Sequence, residues 1–133
     1  MTGETSLPTL LRQMNPVLNS GDYVFCSIAD IAQLQGLQPL GSFFEREGIT
    51  AILAREQAER LGLGFDYVAA WMTLEVHSAL AAVGLTAAVA TALADAGISC
   101  NVIAGYYHDH LFVGAADGAR ALTVLRRLAG REE

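Results

Sequence analysis

The sequence predicts an α+β fold made of two weakly similar halves, each with an antiparallel sheet. Three observations predict it. Strand-period and helix-period segments succeed one another in the order β-α-β-β-α from Trp71 to Ala129. A similar order, with one helix eroded to a loop, runs from Asp22 to Ala69. The chain has 133 residues, of which 53% are hydrophobic and 17% charged, enough apolar material for a real core.

The second half is the easier to read. WMTLEV (71–76) alternates and is rich in strand formers, so it reads as a strand, and HSALAAVG (77–84) as a loop of small residues. Leu85, Ala88, Val89, Ala92, Leu93 and Ala96 then fall on one stripe of a helix, which Gly97 stops. ISCNVIA (98–104) and DHLFVG (109–114) are two strands joined by a turn over 105–108. Asp117 is placed to cap a last helix whose stripe is Ala121, Val124, Leu125 and Leu128. Arginines crowd its final turn, where the helix dipole favours positive charge.

In the first half, residues 6–18 start as a helix that Pro16 would end. DYVFCSIA (22–29) is a strand by composition, and 30–42 a loop with Gly36, Pro39 and Gly41. SFFEREG (42–48) and ITAILA (49–54) form a hairpin, and 55–63 a short amphipathic helix leading to FDYVA. Phe43, Phe44 and Trp71 are expected in a core or an interface, and Glu45–Arg46–Glu47 on a solvated face.

Charge narrows the function. The net charge is −6, and all eight basic residues are arginines. Without a basic face the chain is not expected to bind nucleic acid. Without lysine there is neither a Schiff base nor a Walker phosphate loop. Two cysteines, Cys26 and Cys100, and no C-x-x-C suit free thiols in a reducing compartment. No window approaches the apolar length of a membrane helix, so the expectation is a cytoplasmic protein with no membrane partner.

The stretch YYHDHLF offers two histidines, His108 and His110, on one face of a strand, with Asp109 opposite. A zinc site needs a third protein ligand, for which only His77 is at hand, so no metal and no cofactor are expected. A cysteine–histidine dyad has nothing in the sequence to order it, and no nucleophile–base motif suggests an enzyme. The plain reading is a hairpin tip with solvated or hydrogen-bonded polar groups.

The loop from His77 to Leu85 invites a ligand more. Gly84 would let a ligand approach backbone, and the helix opening at Leu85 aims unpaired N–H groups at that loop. Asn101 on the neighbouring strand offers a donor and an acceptor. The alternative is that Gly84 only makes a tight turn and Asn101 faces water.

The segment LEVHSALAAVGLTAAVATALADAGISCNVIAGYYHDHLFV resembles a family of small bacterial ACT-like proteins. More distantly it is similar to the ACT repeats of aspartate kinases and of cytosolic arginine sensors. The shared features are a glycine opening an alanine-rich helix, then A-G-I, then a strand carrying asparagine. The resemblance implies a tandem pair of ferredoxin-like βαββαβ repeats, at 1–69 and 70–133, the first degenerate. It implies a non-enzymatic regulatory module, a homodimer, that binds a small effector of the amino acid kind. His77, Val83, Gly84, Leu85 and Asn101 would be its ligand residues; the alternative is a ligand-free dimerisation or docking module. After the last helix only AGREE remains, so the second unit's fourth strand must come from elsewhere, with Tyr23–Ser27 the expected source.

Overall fold

The computed structural model describes residues 6–76 and 83–131, which divide into two compact units. One is formed by Gly21–Ala69. The other combines Ala70 onward with the segment ending at Ser20.

In the first unit, strands β2 (Tyr23–Ile28), β3 (Gly41–Phe44) and β4 (Ile49–Ala54) pair in the order β3-β4-β2, all antiparallel. Strand β5 (Val68–Glu75) completes it, with Ala69 opposite Tyr23 and Val68 opposite Val24. This is the 4-1-3-2 order of a ferredoxin-like repeat. Between β2 and β3, where a helix would complete the repeat, stands only a 3-10 turn, Ile31–Leu34, closed by an Asp30–Gln33 capping box. The repeat is degenerate there because 30–42 carries Gly36, Pro39 and Gly41 and no sustained apolar stripe. Alternate side chains Val24, Cys26 and Ile28 meet Leu53, Ala51 and Ile49, and Ala58 of α2 (Arg55–Arg60) covers them.

Phe43 and Phe44, expected in a core or interface, are 72% and 64% exposed. β3 is short and lies at the end of the sheet order, so neither ring has a second layer to enter. Glu45, Arg46 and Glu47 are exposed as expected.

The second unit repeats the order with β1-β5-β7-β6, where β1 is Asn15–Leu18, β6 Cys100–Ala104 and β7 Asp109–Gly114. Here the sequence reading needs correction. The missing fourth strand is not Tyr23–Ser27 but β1, which runs antiparallel to β5 with Pro16 opposite Leu74 and Val17 opposite Thr73. Residues 15–18 were expected to lie at a helix end. Proline is tolerated in this strand because, among the described residues, β1 is flanked on one side only, so no ladder bond need be lost. The helix before it, α1 (Leu7–Gln13), places Leu10 in the core, and Met14 follows; both are fully buried. The side chain of Arg131 donates to the carbonyls of Arg12 and Gln13, closing the end of α1 from the other terminus of the fold.

Helices α3 (Leu85–Asp95) and α4 (Gly118–Leu128) cover one face of this sheet, burying Leu85, Val89 and Leu93 from one and Ala121 and Leu125 from the other. Met72, Leu74, Leu111 and Val113 rise to meet them. α4 starts close to the strands: a Cβ on Gly118 would stand 3.1 Å from the Ala70 Cβ and 3.3 Å from a Leu18 methyl. Asp117 does not cap α4 as expected. Its carboxylate holds Arg120 at 3.1 Å, and Arg120 in turn donates to the Ala96 carbonyl at the end of α3.

Candidate functional site

The turn into α3 is built around Gly84, which occupies the left-handed region at φ 104° as the residue before the helix. Gly84 has no side chain to cap this end, and no acidic residue lies in the first turn. The first N–H groups of α3 therefore keep their partial positive charge undimmed by a carboxylate of the helix's own first turn. Leu85, fully inside the core, fixes the helix, while Val83 is 83% exposed. A Cβ on Gly84 would stand 3.1 Å from a methyl of Leu7, so α1 flanks the turn. His77 lies outside the described residues.

Asn101 does not join this group. Its neighbours Cys100 and Val102 pack on the helix side of the sheet, so Asn101 points to the other side. It is also the second residue of the strand that follows α3, beyond the far end of a helix about 16 Å long. Its amide lies 3.5 Å from the Phe112 carbonyl.

The face of the sheet away from the helices carries a chain of polar contacts. Asn19 donates through Nδ2 to Thr73 Oγ1 at 3.0 Å, and Thr73 Oγ1 lies 3.3 Å from His110 Nδ1. Trp71 Nε1 donates to the same Nδ1 at 3.1 Å. Indole N–H can only donate, so Nδ1 must be the unprotonated nitrogen of a neutral ring. Burial pushes the His110 pKa below its ordinary value, as does the charge of His108, against an upward pull from Asp109. Burial pushes the Asp109 carboxyl up, opposed by both histidines. Tyr106 and Tyr107, edge to face at 4.9 Å, form the exposed tip of the hairpin.

Neither thiol suits nucleophilic chemistry: burial raises the pKa of both Cys26 and Cys100 and keeps them protonated at neutral pH. Among the described residues no three His, Cys, Asp or Glu side chains converge on a point that a metal could occupy. A shallow cleft in the first unit, by Gly21, Asp22 and Glu56, contains Arg55, already bonded to Glu59 at 3.3 Å and near Asp22 at 3.8 Å.

Two family models match the chain, both of ACT domains, one over residues 2–70 and the other over 67–127. The chain belongs to the ACT domain family. Its fold is close to that of a protein of unknown function from Vibrio cholerae, described as a possible transport protein. The two are 48% identical, with a TM-score of 0.85 over 94% of this chain and 97% of the other. The regulatory subunit of aspartate kinase from Thermus thermophilus, in its ligand-free form, is 10% identical. It matches with a TM-score of 0.67 over 86% of this ACT protein and 97% of its own chain. Aspartokinase III of E. coli, in complex with aspartate and ADP, is 10% identical. It matches at 0.66 over 85% of this chain and 32% of its own. No curated protein matches the chain.

The ACT assignment makes this a regulatory, small-molecule-binding type of domain. No helix among the described residues is long and apolar enough to cross a membrane. The Asn19–Thr73–His110–Trp71 chain escaped the sequence reading. Trp71 and Thr73 share a face by their spacing, as do His108 and His110, but only the strand order β1-β5-β7 brings them and Asn19 together.

Proposed function

We propose that this ACT protein is a cytoplasmic regulatory module that binds an amino acid, or a similar small carboxylate, and has no catalytic activity of its own. The observation that carries the reading is the uncapped turn Val83–Gly84–Leu85 at the head of an eleven-residue helix. A carboxylate there would accept from backbone N–H groups with no acid in the helix's first turn to repel it. His77, seven residues before Gly84 in the sequence, is proposed to meet the ligand's polar end. Asn101 would bind only a ligand reaching it from elsewhere, so Asn101→Ala is expected to leave affinity at the turn unchanged.

A thermal-shift screen against the twenty amino acids tests this directly. A ligand at a hundred times its Kd raises native stability by about 2.7 kcal/mol. The variant Thr86→Glu supplies an exposed carboxylate in the first turn. It should stabilise the unliganded protein by roughly 0.3–1 kcal/mol and weaken the carboxylate ligand. Failure of every amino acid to shift the transition would leave the ligand-free docking reading in its place.

The working form is proposed to be a homodimer. β6 ends the sheet order of the second unit, and none of its side chains is charged, whereas the edge strand β3 runs into Glu45–Arg46–Glu47. An edge without charge is free to pair with a second copy. Ile103→Glu places a carboxylate on that edge in an already acidic protein. Light scattering should then report a monomer where the parent is a dimer; an equal mass for both would exclude this edge.

A further inference from the structure

We propose that His110 is an acid-sensitive latch that holds the N-terminal strand β1 to the sheet. Asn19, directly after β1, is where the strand is tied down. Its backbone N–H donates to the Trp71 carbonyl at 2.9 Å, and its side-chain amide to Trp71 O at 3.3 Å and to Thr73 Oγ1 at 3.0 Å. Thr73 is 8% exposed and so has little access to water. Its hydroxyl accepts from Asn19 and donates its O–H to His110 Nδ1, which also accepts from the Trp71 indole.

The Trp71 and Thr73 donors both point towards one lone pair, that of His110 Nδ1. Protonation of Nδ1 removes that lone pair and sets N–H against N–H at Trp71, and it compels Thr73 to turn its hydroxyl around. Thr73 Oγ1 would then accept from both His110 and Asn19, and its own proton must leave the chain for another acceptor, which weakens the hold of Thr73 on Asn19. Acid thus acts on the attachment of β1 through a hydrogen-bond reversal, with no change in the apolar core beneath.

The surrounding charges do not mask this. Among the described residues, His108 and Asp109 stand on the latch's own hairpin. Glu75 lies on β5, two residues beyond Thr73, and accepts from Asn15 at 3.0 Å; Arg131 also reaches Asn15, at 3.5 Å. β1 itself brings no titratable group, and β6 brings Cys100, on the helix side. The depressed His110 pKa agrees in sign. The unfolded chain binds its proton first as pH falls, so this stabilisation is complete above about 6.5 and is lost in acid. Asp109, with a raised pKa, titrates from the opposite end: its ionisation weakens the fold as pH rises from the acid side.

The chain has a single tryptophan, Trp71, so its fluorescence reads the latch directly. Titrating the protein from pH 8 to 5 should give one reversible change in Trp71 emission with a midpoint below about 6.5. At pH 8, imidazole ¹⁵N shifts should show His110 protonated on Nε2 alone. Hydrogen-exchange protection of Val17 and Asn19, whose N–H groups face β5, should fall through the same step. His108→Asn should move the midpoint up, since His108 holds it down. His110→Asn should abolish the step. A proton on Nδ1 at pH 8, a step that survives in His110→Asn, or β1 protection unchanged across the step would each overturn the latch. The nitrogen shifts are read on the unmodified protein and stand even if a variant fails to fold.

Discussion

A chain that starts at Gly21 is expected to lose the cooperative fold of its second unit. The first twenty residues supply the fourth strand of that unit's sheet and two fully buried side chains, Leu10 and Met14, in its core. Truncating one buried leucine or methionine to alanine costs about 2–5 kcal/mol, against a total stability of roughly 5–15 kcal/mol for a domain. Removing both with the strand exhausts most of that margin. β5 would also expose a bare edge from Met72 to Glu75. The expected readout is loss of dispersed amide signals from residues 85–128, with aggregation. The single substitution Leu10→Ala should lower stability by about 2–5 kcal/mol in urea unfolding while keeping the fold. A truncated chain with native dispersion over 85–128 would show that the terminal segment is an accessory.

Gly84→Val is expected to harm both stability and the proposed binding. At φ 104° a β-branched residue is strained, a penalty of about 1–3 kcal/mol. Its Cβ would also press on a Leu7 methyl at 3.1 Å. Leu7 is the mobile end of a side chain, so adding Leu7→Ala should recover the steric part and leave the backbone part, a separation that a double-mutant cycle measures. Binding should not recover, because the strained backbone re-aims the N–H groups of the turn. Calorimetry with whichever amino acid the stability screen selects decides the point. Unchanged affinity in Gly84→Val would place the ligand away from this turn. Full recovery in the double variant would mean that Leu7, and not the backbone, had been the obstacle.

Much of the local structure around the candidate site was legible in the sequence, and the reason is local. Gly84 before an alanine-rich apolar stripe marks a helix start wherever the chain goes, and the helix at Leu85–Asp95 follows from periodicity alone. The hairpin around 105–108 likewise needs only two strand-forming runs and a turn. Asn101 was grouped with the turn because it stands on a neighbouring strand. Strand parity and helix length send it to the opposite face and the opposite end. Asp117 was read as a cap from its type and position, but Arg120, one turn on, competes for its carboxylate.

By itself the sequence determined the order of strands and helices from Val68 to Leu128, the apolar stripes that become the core, and the family resemblance. These rest on contacts between near neighbours, whose spacing the chain records. The tertiary structure decided what crosses long separations. β1 and β5 meet although their paired residues lie 54 to 60 positions apart, and Pro16 gave β1 the look of a helix end. The lone pair of His110 gathers Trp71 and Thr73 from another strand and, through Thr73, Asn19 from a third. No residue in that group signals the others along the chain, because an open sheet face has no period to announce which strand will lie beside which.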